Sequence, residues 1–230
     1  MNSKIQRTFV ALSVASLFVG SVLAGPTGPA YHMSLSGSGY GMGGLNGGAF
    51  YCTPLTGGAD WNDINIDGGF TTFCAEPMVN GFGNWATIDD KVYFGDGQPD
   101  GVAVSSELRS VLAHWFTGGY DALGLQNDWS GNVTLQAYIW GELYGVGGMP
   151  NASWSSFYGV NNATIGDLGI NYGGGHARQN DIKVMNLWSS PIDFIDVTNK
   201  QSQFVIIPTP GAAMLGLIGL AIAARMRRSA

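Results

Sequence analysis

Two apolar segments, one at each end of the chain, leave only residues 25–207 to build a folded domain. At the N-terminal end Lys4 and Arg7 precede an uncharged run from Phe9 to Val22, and Val22-Leu23-Ala24 offers small residues where a signal peptidase reads. A positive start, an apolar middle with no polar face and a small-residue end predict a secretory signal over 1–24, cut after Ala24. At the other end Pro208-Thr209-Pro210 leads into the apolar run Gly211–Ala224 and then Arg225, Arg227 and Arg228. That run reaches about 21 Å as a helix, against a hydrocarbon core of about 30 Å. It spans only if Phe204 to Ile207 also enter the membrane or the arginines snorkel. The arginines would hold this end on the cytoplasmic side and the domain outside.

Trimming the ends changes the charge. All 16 acidic residues lie within 25–207, with only Lys91, Arg109, Arg178, Lys183 and Lys200 to offset them, so the segment carries −11 where the whole chain carries −6. A surface of that sign excludes a groove for nucleic acid and suits an acidic extracellular domain. Its length is enough for one domain with a real core.

Glycine runs such as Gly43-Gly44, Gly47-Gly48 and Gly173 to Gly175 suit tight turns between short strands. Strands are predicted at Asp63–Asp67, Phe70–Cys74, Lys91–Phe94, Ile182–Leu187, Ile192–Val197 and Gln203–Ile207. Between them the period changes. Leu108, Val111, Leu112, Trp115 and Phe116 share one helical face, with Ser105 or Ser106 to cap it and Gly118-Gly119 to end it. A second helix is predicted from about Val133 to Tyr144, with Asn132 as cap and Gly145 as stop. The Gly- and Asn-rich stretch that follows reads as irregular. The expected fold is mainly β, a β-sandwich or barrel carrying a two-helix insertion.

Gln136 is out of place on that second helix. It shares the stripe of Ile139, Trp140 and Leu143, and a buried amide left unbonded costs about 1–3 kcal/mol. The chain's two cysteines, Cys52 and Cys74, would in an exported protein form a disulfide closing a loop of about 22 residues, worth roughly 3 kcal/mol.

Phe73-Cys74-Ala75-Glu76, followed by Leu135-Gln136-Ala137-Tyr138-Ile139-Trp140, resembles the paired motifs of Cys–Gln thioester domains found in surface adhesins. The resemblance covers roughly Phe70 to Tyr144. It implies a β-sandwich or barrel whose helical insertion carries the Gln, with Cys74 as the thiol partner and Gln136 as the acyl partner of an internal thioester that captures amines. Cys74 cannot hold both bonds, so thioester, Cys52–Cys74 disulfide and free thiols stand as three alternatives.

The tail resembles the PEP-CTERM sorting signal of exopolysaccharide-producing bacteria, with Thr209 where that signal usually has Glu. The resemblance implies an exosortase-type processing enzyme acting at Pro208, Thr209, Pro210 and the cluster Arg225, Arg227 and Arg228. It also implies the cell envelope or exopolysaccharide as surroundings and a transient membrane anchor.

Other constellations are weaker. Asp96, Asp100 and Glu107 fall at positions 1, 5 and 12 of an EF-hand-like loop, but position 3 is Gln98, so calcium here competes with a plain capped turn. His32, His114 and His176 stand apart without metal-ligand spacing. Glu76, Glu107 and Glu142 are available for a glycosidase pair, and Trp61, Trp85, Trp129 and Trp154 for a sugar-stacking surface. The sequence therefore predicts an exported, non-enzymatic surface or matrix protein without cofactor, attached through Cys74 and Gln136. The alternatives are a carbohydrate-binding or hydrolytic exoprotein, or a structural matrix protein with a Cys52–Cys74 disulfide.

Overall fold

The computed structural model describes residues 28–37, 40–42, 45–76, 83–93, 101–189 and 200–207. The signal segment, the tail, the predicted strand Ile192–Val197, and Asp96 and Asp100 of the calcium candidate lie outside them. No helix among the described residues is long and apolar enough to cross a membrane.

The strands are β1 (Tyr31–Ser36), β2 (Tyr40–Met42), β3 (Leu45–Gly47), β4 (Ala49–Pro54), β5 (Phe70–Phe73), β6 (Trp85–Asp89), β7 (Lys91–Val92), β8 (Val102–Ala103), β9 (Ile182–Trp188) and β10 (Lys200–Ile206). The helices are α1 (Ser106–Gly118), α2 (Trp129–Tyr144), α3 (Ala152–Val160) and α4 (Asn162–Tyr172). Six strands make one sheet in the order β10-β9-β6-β1-β4-β5, every neighbouring pair antiparallel. β2 and β3 pair separately, as do β7 and β8.

The two edges of this sheet come back to each other. Just past β5, Cys74 forms a single antiparallel bridge with Gln203 of β10. The Ala75 N–H donates to the Ser202 carbonyl at 2.8 Å, and the Thr72 hydroxyl donates to the Phe204 carbonyl. The sheet curls until its edges touch along this seam, but no barrel is closed.

The mainly-β expectation needs correcting. Among the described residues helix outweighs strand, so the fold is α+β: one curled antiparallel sheet covered by helices. Alternation along β9 shows the division. Ile182 and Val184 join the cluster that holds the helices, while Met185 and Leu187 pack with Tyr31, Met33, Cys52 and Trp61 in a second cluster.

The first helix follows its sequence signals. The Ser105 hydroxyl accepts from the Leu108 N–H at 3.0 Å, Leu108, Val111, Leu112 and Trp115 are buried, and Gly119 caps the end with φ of 68°. The second begins earlier than predicted. Asp128, not Asn132, is its cap, accepting from the Gly131 N–H at 2.9 Å. Every residue from Gly131 to Trp140 is buried, so α2 runs through the middle of the fold rather than along its surface.

The stretch expected to be irregular forms α3 and α4, so the helical layer among the described residues has four α-helices instead of two. Gly159, Gly166 and Gly169 dilute the apolar period there, yet Trp154, Ile165 and Leu168 still reach the core. Gly169 lies close against α1: a Cβ on it would lie 2.1 Å from the Glu107 carboxylate, whose exposed side chain would have to swing away.

The Asp63–Asp67 strand is also corrected. Trp61–Ile64 is a 3-10 turn capped by Asp60, and Asn65 follows in the left-handed region with φ of 58°. Trp61 decides this. Its ring is buried against Tyr31 and its indole N–H donates to the His32 carbonyl at 2.8 Å, a docking that an extended strand would not permit.

Candidate functional site

The seam between β5 and β10 faces α2, and there the fold gathers its buried polar groups. Cys74, Glu76, Gln136, Ser202 and Gln203 are each at most 1% exposed. Their positions follow from local structure. Cys74 leaves the end of β5, Gln136 sits midway along α2, and Ser202 and Gln203 lie in β10 next to its register shift.

Gln136 is held at both ends of its carboxamide. Its Nε2 donates to the Cys74 carbonyl at 2.8 Å, and its Oε1 accepts from the Gly48 N–H at 2.7 Å. The second bond depends on the glycine before it. A Cβ on Gly47 would lie 2.7 Å from Gln136 Cγ and 2.8 Å from the Trp140 ring, so only glycine lets this backbone close over the amide. The polar residue that interrupts the apolar stripe is therefore bonded at both ends of its amide.

The Cys74 thiol is surrounded by protein. Gln203 Nε2 donates to Sγ at 3.4 Å. Burial pushes the thiol well above its usual range; the Gln203 hydrogen bond lowers it, and the nearby Glu76 carboxylate raises it further. Glu76 is itself pushed up to about 7, chiefly by burial, with the Ser202 hydrogen bonds acting the other way. Its Oε2 accepts from the Ser202 N–H at 2.7 Å. Tyr144, at the end of α2, donates to the Ala75 carbonyl at 2.9 Å, tying the helix to the Cys74 segment a second time.

Cys52 is elsewhere. It belongs to the second cluster, its Sγ 3.7 Å from Met33 Sδ, and both cysteines are free. The Cys52–Cys74 disulfide is corrected on register. Cys52 pairs with Phe70, four residues before Cys74 and roughly 13 Å along the strand, whereas a disulfide needs Cα atoms within about 7 Å.

The remaining candidates disperse or change role. No group of three metal-ligating side chains occurs among the described residues. Glu107 of the calcium candidate turns instead toward Tyr138, which donates to it at 3.4 Å. Glu142 lies near Glu107 and is raised first by burial and then by that neighbour, while Glu76 is in the seam. Of the four tryptophans considered for sugar stacking, Trp61 and Trp154 are core residues, Trp85 stacks on His32 at 4.6 Å, and Trp129 is 45% exposed. Glu76 and Gln203 had no assigned part at the seam. For Glu76 the signal was its place two residues after Cys74; for Gln203, polarity inside an apolar strand.

No family model, curated protein or solved structure matches this chain.

Proposed function

We propose that this is an exported, non-enzymatic bacterial surface or matrix protein whose domain holds an internal thioester between Cys74 and Gln136 and uses it to bond covalently to amines. The observation that carries the reading is the double clamp on Gln136: a fully buried carboxamide is bonded to the backbone of Cys74 itself on one side and to the Gly48 N–H on the other.

The chemistry follows from the groups present. Sγ attacks Cδ of Gln136, and the charge developing on Oε1 meets the Gly48 N–H, a single oxyanion donor. The C–N bond then breaks and nitrogen leaves as ammonia, carrying the thiol proton. A thiol raised by burial is a poor nucleophile until it loses that proton, and we assign Glu76, two residues on in the same buried seam, to take it and pass it on. Once formed, the acyl–sulfur bond lies where water does not reach, which lets an electrophile persist.

Delivery completes the proposal: a Sec-type signal over 1–24, and an exosortase-type enzyme acting on 208–230 at the cell envelope or exopolysaccharide. Intact mass of the secreted protein tests both parts. The expected mass lies one ammonia below that of the processed chain; Cys74→Ala and Gln136→Ala each restore the full mass, and methylamine adds to the wild type alone. A wild-type mass with all its nitrogen present, inert to methylamine, overturns the thioester.

A further inference from the structure

A cleft of about 800 Å³ opens beside the seam, where the end of α1 and the turn after it meet β4, β5 and the start of α2. That volume is in the range that accepts small ligands and extended side chains. Its lining reaches the neighbours of the Cys74–Gln136 pair on three separate elements. Ala49 lines the cleft and directly follows Gly48, whose N–H holds Gln136 Oε1. Asn132 lines it one helical turn before Gln136, on the same face of α2. Trp115 and Tyr120 line it and pack edge-on against Phe73, the residue before Cys74, with ring centroids 4.7 and 6.5 Å away. Trp115 is the layer between cleft and Phe73. Its indole N–H has no hydrogen-bond partner among the described residues, so no such bond holds the ring against rotation.

We infer that this cleft is the entrance through which an acceptor reaches the Gln136 carbonyl, and that it selects a primary amine on an uncharged or cationic chain. The inference rests on the thioester reading. Asp121 is the charged residue in the lining, within a domain of net charge −11, so the entrance attracts an ammonium and repels an anion. The rings of Trp115, Phe116 and Tyr120 suit the methylenes behind such a group, and their faces favour the cation. At the reacting centre the ammonium first gives one proton to solvent. Its lone pair then attacks Cδ, the C–S bond breaks with its electrons on Sγ, and Cys74 takes the second nitrogen proton, leaving an amide and a neutral thiol.

The test compares coupling rates of methylamine, cadaverine and aminovalerate with the full chain, followed by intact mass. Each variant is weighed first, so that only protein that has lost ammonia enters the comparison. Cadaverine is expected to couple about fivefold faster than aminovalerate at low salt, a gap that closes in 1 M salt where the Debye length is about 3 Å. Asp121→Asn should remove that preference. Thr71→Trp, an exposed β5 position on the cleft, should lower the cadaverine-to-methylamine ratio about tenfold by filling the entrance, in line with the steep cost of misplacing a reacting group. If Thr71→Trp does not fold, Asp121→Asn decides alone. A wild type that never loses ammonia overturns the thioester and the entrance together. A wild type that loses ammonia but couples cadaverine and aminovalerate equally, before and after Asp121→Asn, overturns the entrance and leaves the thioester standing.

Discussion

Replacing Glu76 by Gln should remove most of the pH dependence that the seam contributes to stability. Glu76 is 1% exposed, and its carboxyl is pushed up from an ordinary 4.5 to about 7 because burial penalises the charge more than the Ser202 hydrogen bonds favour it. A folded-state value above the unfolded one means that the native protein holds the proton more tightly. Stability from this group is therefore fully present below about pH 4.5, falls as pH rises, and levels off above about 7. At 1.36 kcal/mol per unit, the shift amounts to about 3 kcal/mol, most of it lost between pH 5 and 7. Gln keeps an oxygen to accept from the Ser202 N–H but carries no proton to lose. Urea unfolding at half-unit steps from pH 4.5 to 8 should show the wild-type curve falling relative to the variant by that amount, with equal m-values. Parallel curves would refute the reasoning, because they would mean that burial does not raise the Glu76 carboxyl in the folded state.

Further outcomes follow from other contacts. Gly47→Ala should cost about 1–3 kcal/mol in chemical denaturation and prevent ammonia loss, since its methyl must displace Gln136 or Trp140; an unchanged mass deficit would show the clamp to be dispensable. Thiol titration immediately after unfolding should count one group, Cys52, with a second appearing after hydroxylamine; none would restore the disulfide and two at once would leave no thioester. Arg109→Ala should destabilise by about 2–3 kcal/mol, because its guanidinium donates to the Val104, Ile182 and Asp90 carbonyls and also pairs with the Asp90 carboxylate at 3.1 Å. Loss below about 0.5 kcal/mol would show these bonds to be exchanged for water at no cost.

The parts legible in the sequence were those with local causes. Ser105, the spacing from Leu108 to Trp115 and Gly119 specify α1 without help from the rest of the chain. The oddity of Gln136 was legible too, since an amide on an apolar stripe demands a partner. That the partners are the Cys74 carbonyl and the Gly48 N–H was not, because both are backbone groups brought in from 62 and 88 residues away. Asn132 was misread as a cap because its amide looks like one. In the fold it is buried, with its oxygen accepting from the Tyr120 hydroxyl and its nitrogen donating to Asp128. α3 and α4 were missed because glycines thin their apolar face, and packing against α1 and α2 supplies what propensity lacks.

The sequence by itself determined the chain's two apolar ends, its acidic charge, its first helix, and the amide of Gln136 on an apolar helical stripe. These depend on composition and on periods of a few residues. Only the tertiary structure decided that Cys52 and Cys74 lie apart, and that Cys74 and Gln136 meet at a seam where the sheet's edges touch. Strand register separates the first pair, since four residues along β5 exceed the reach of a disulfide. The curl of the sheet joins the second, since it returns β10 to the end of β5 and closes both over α2.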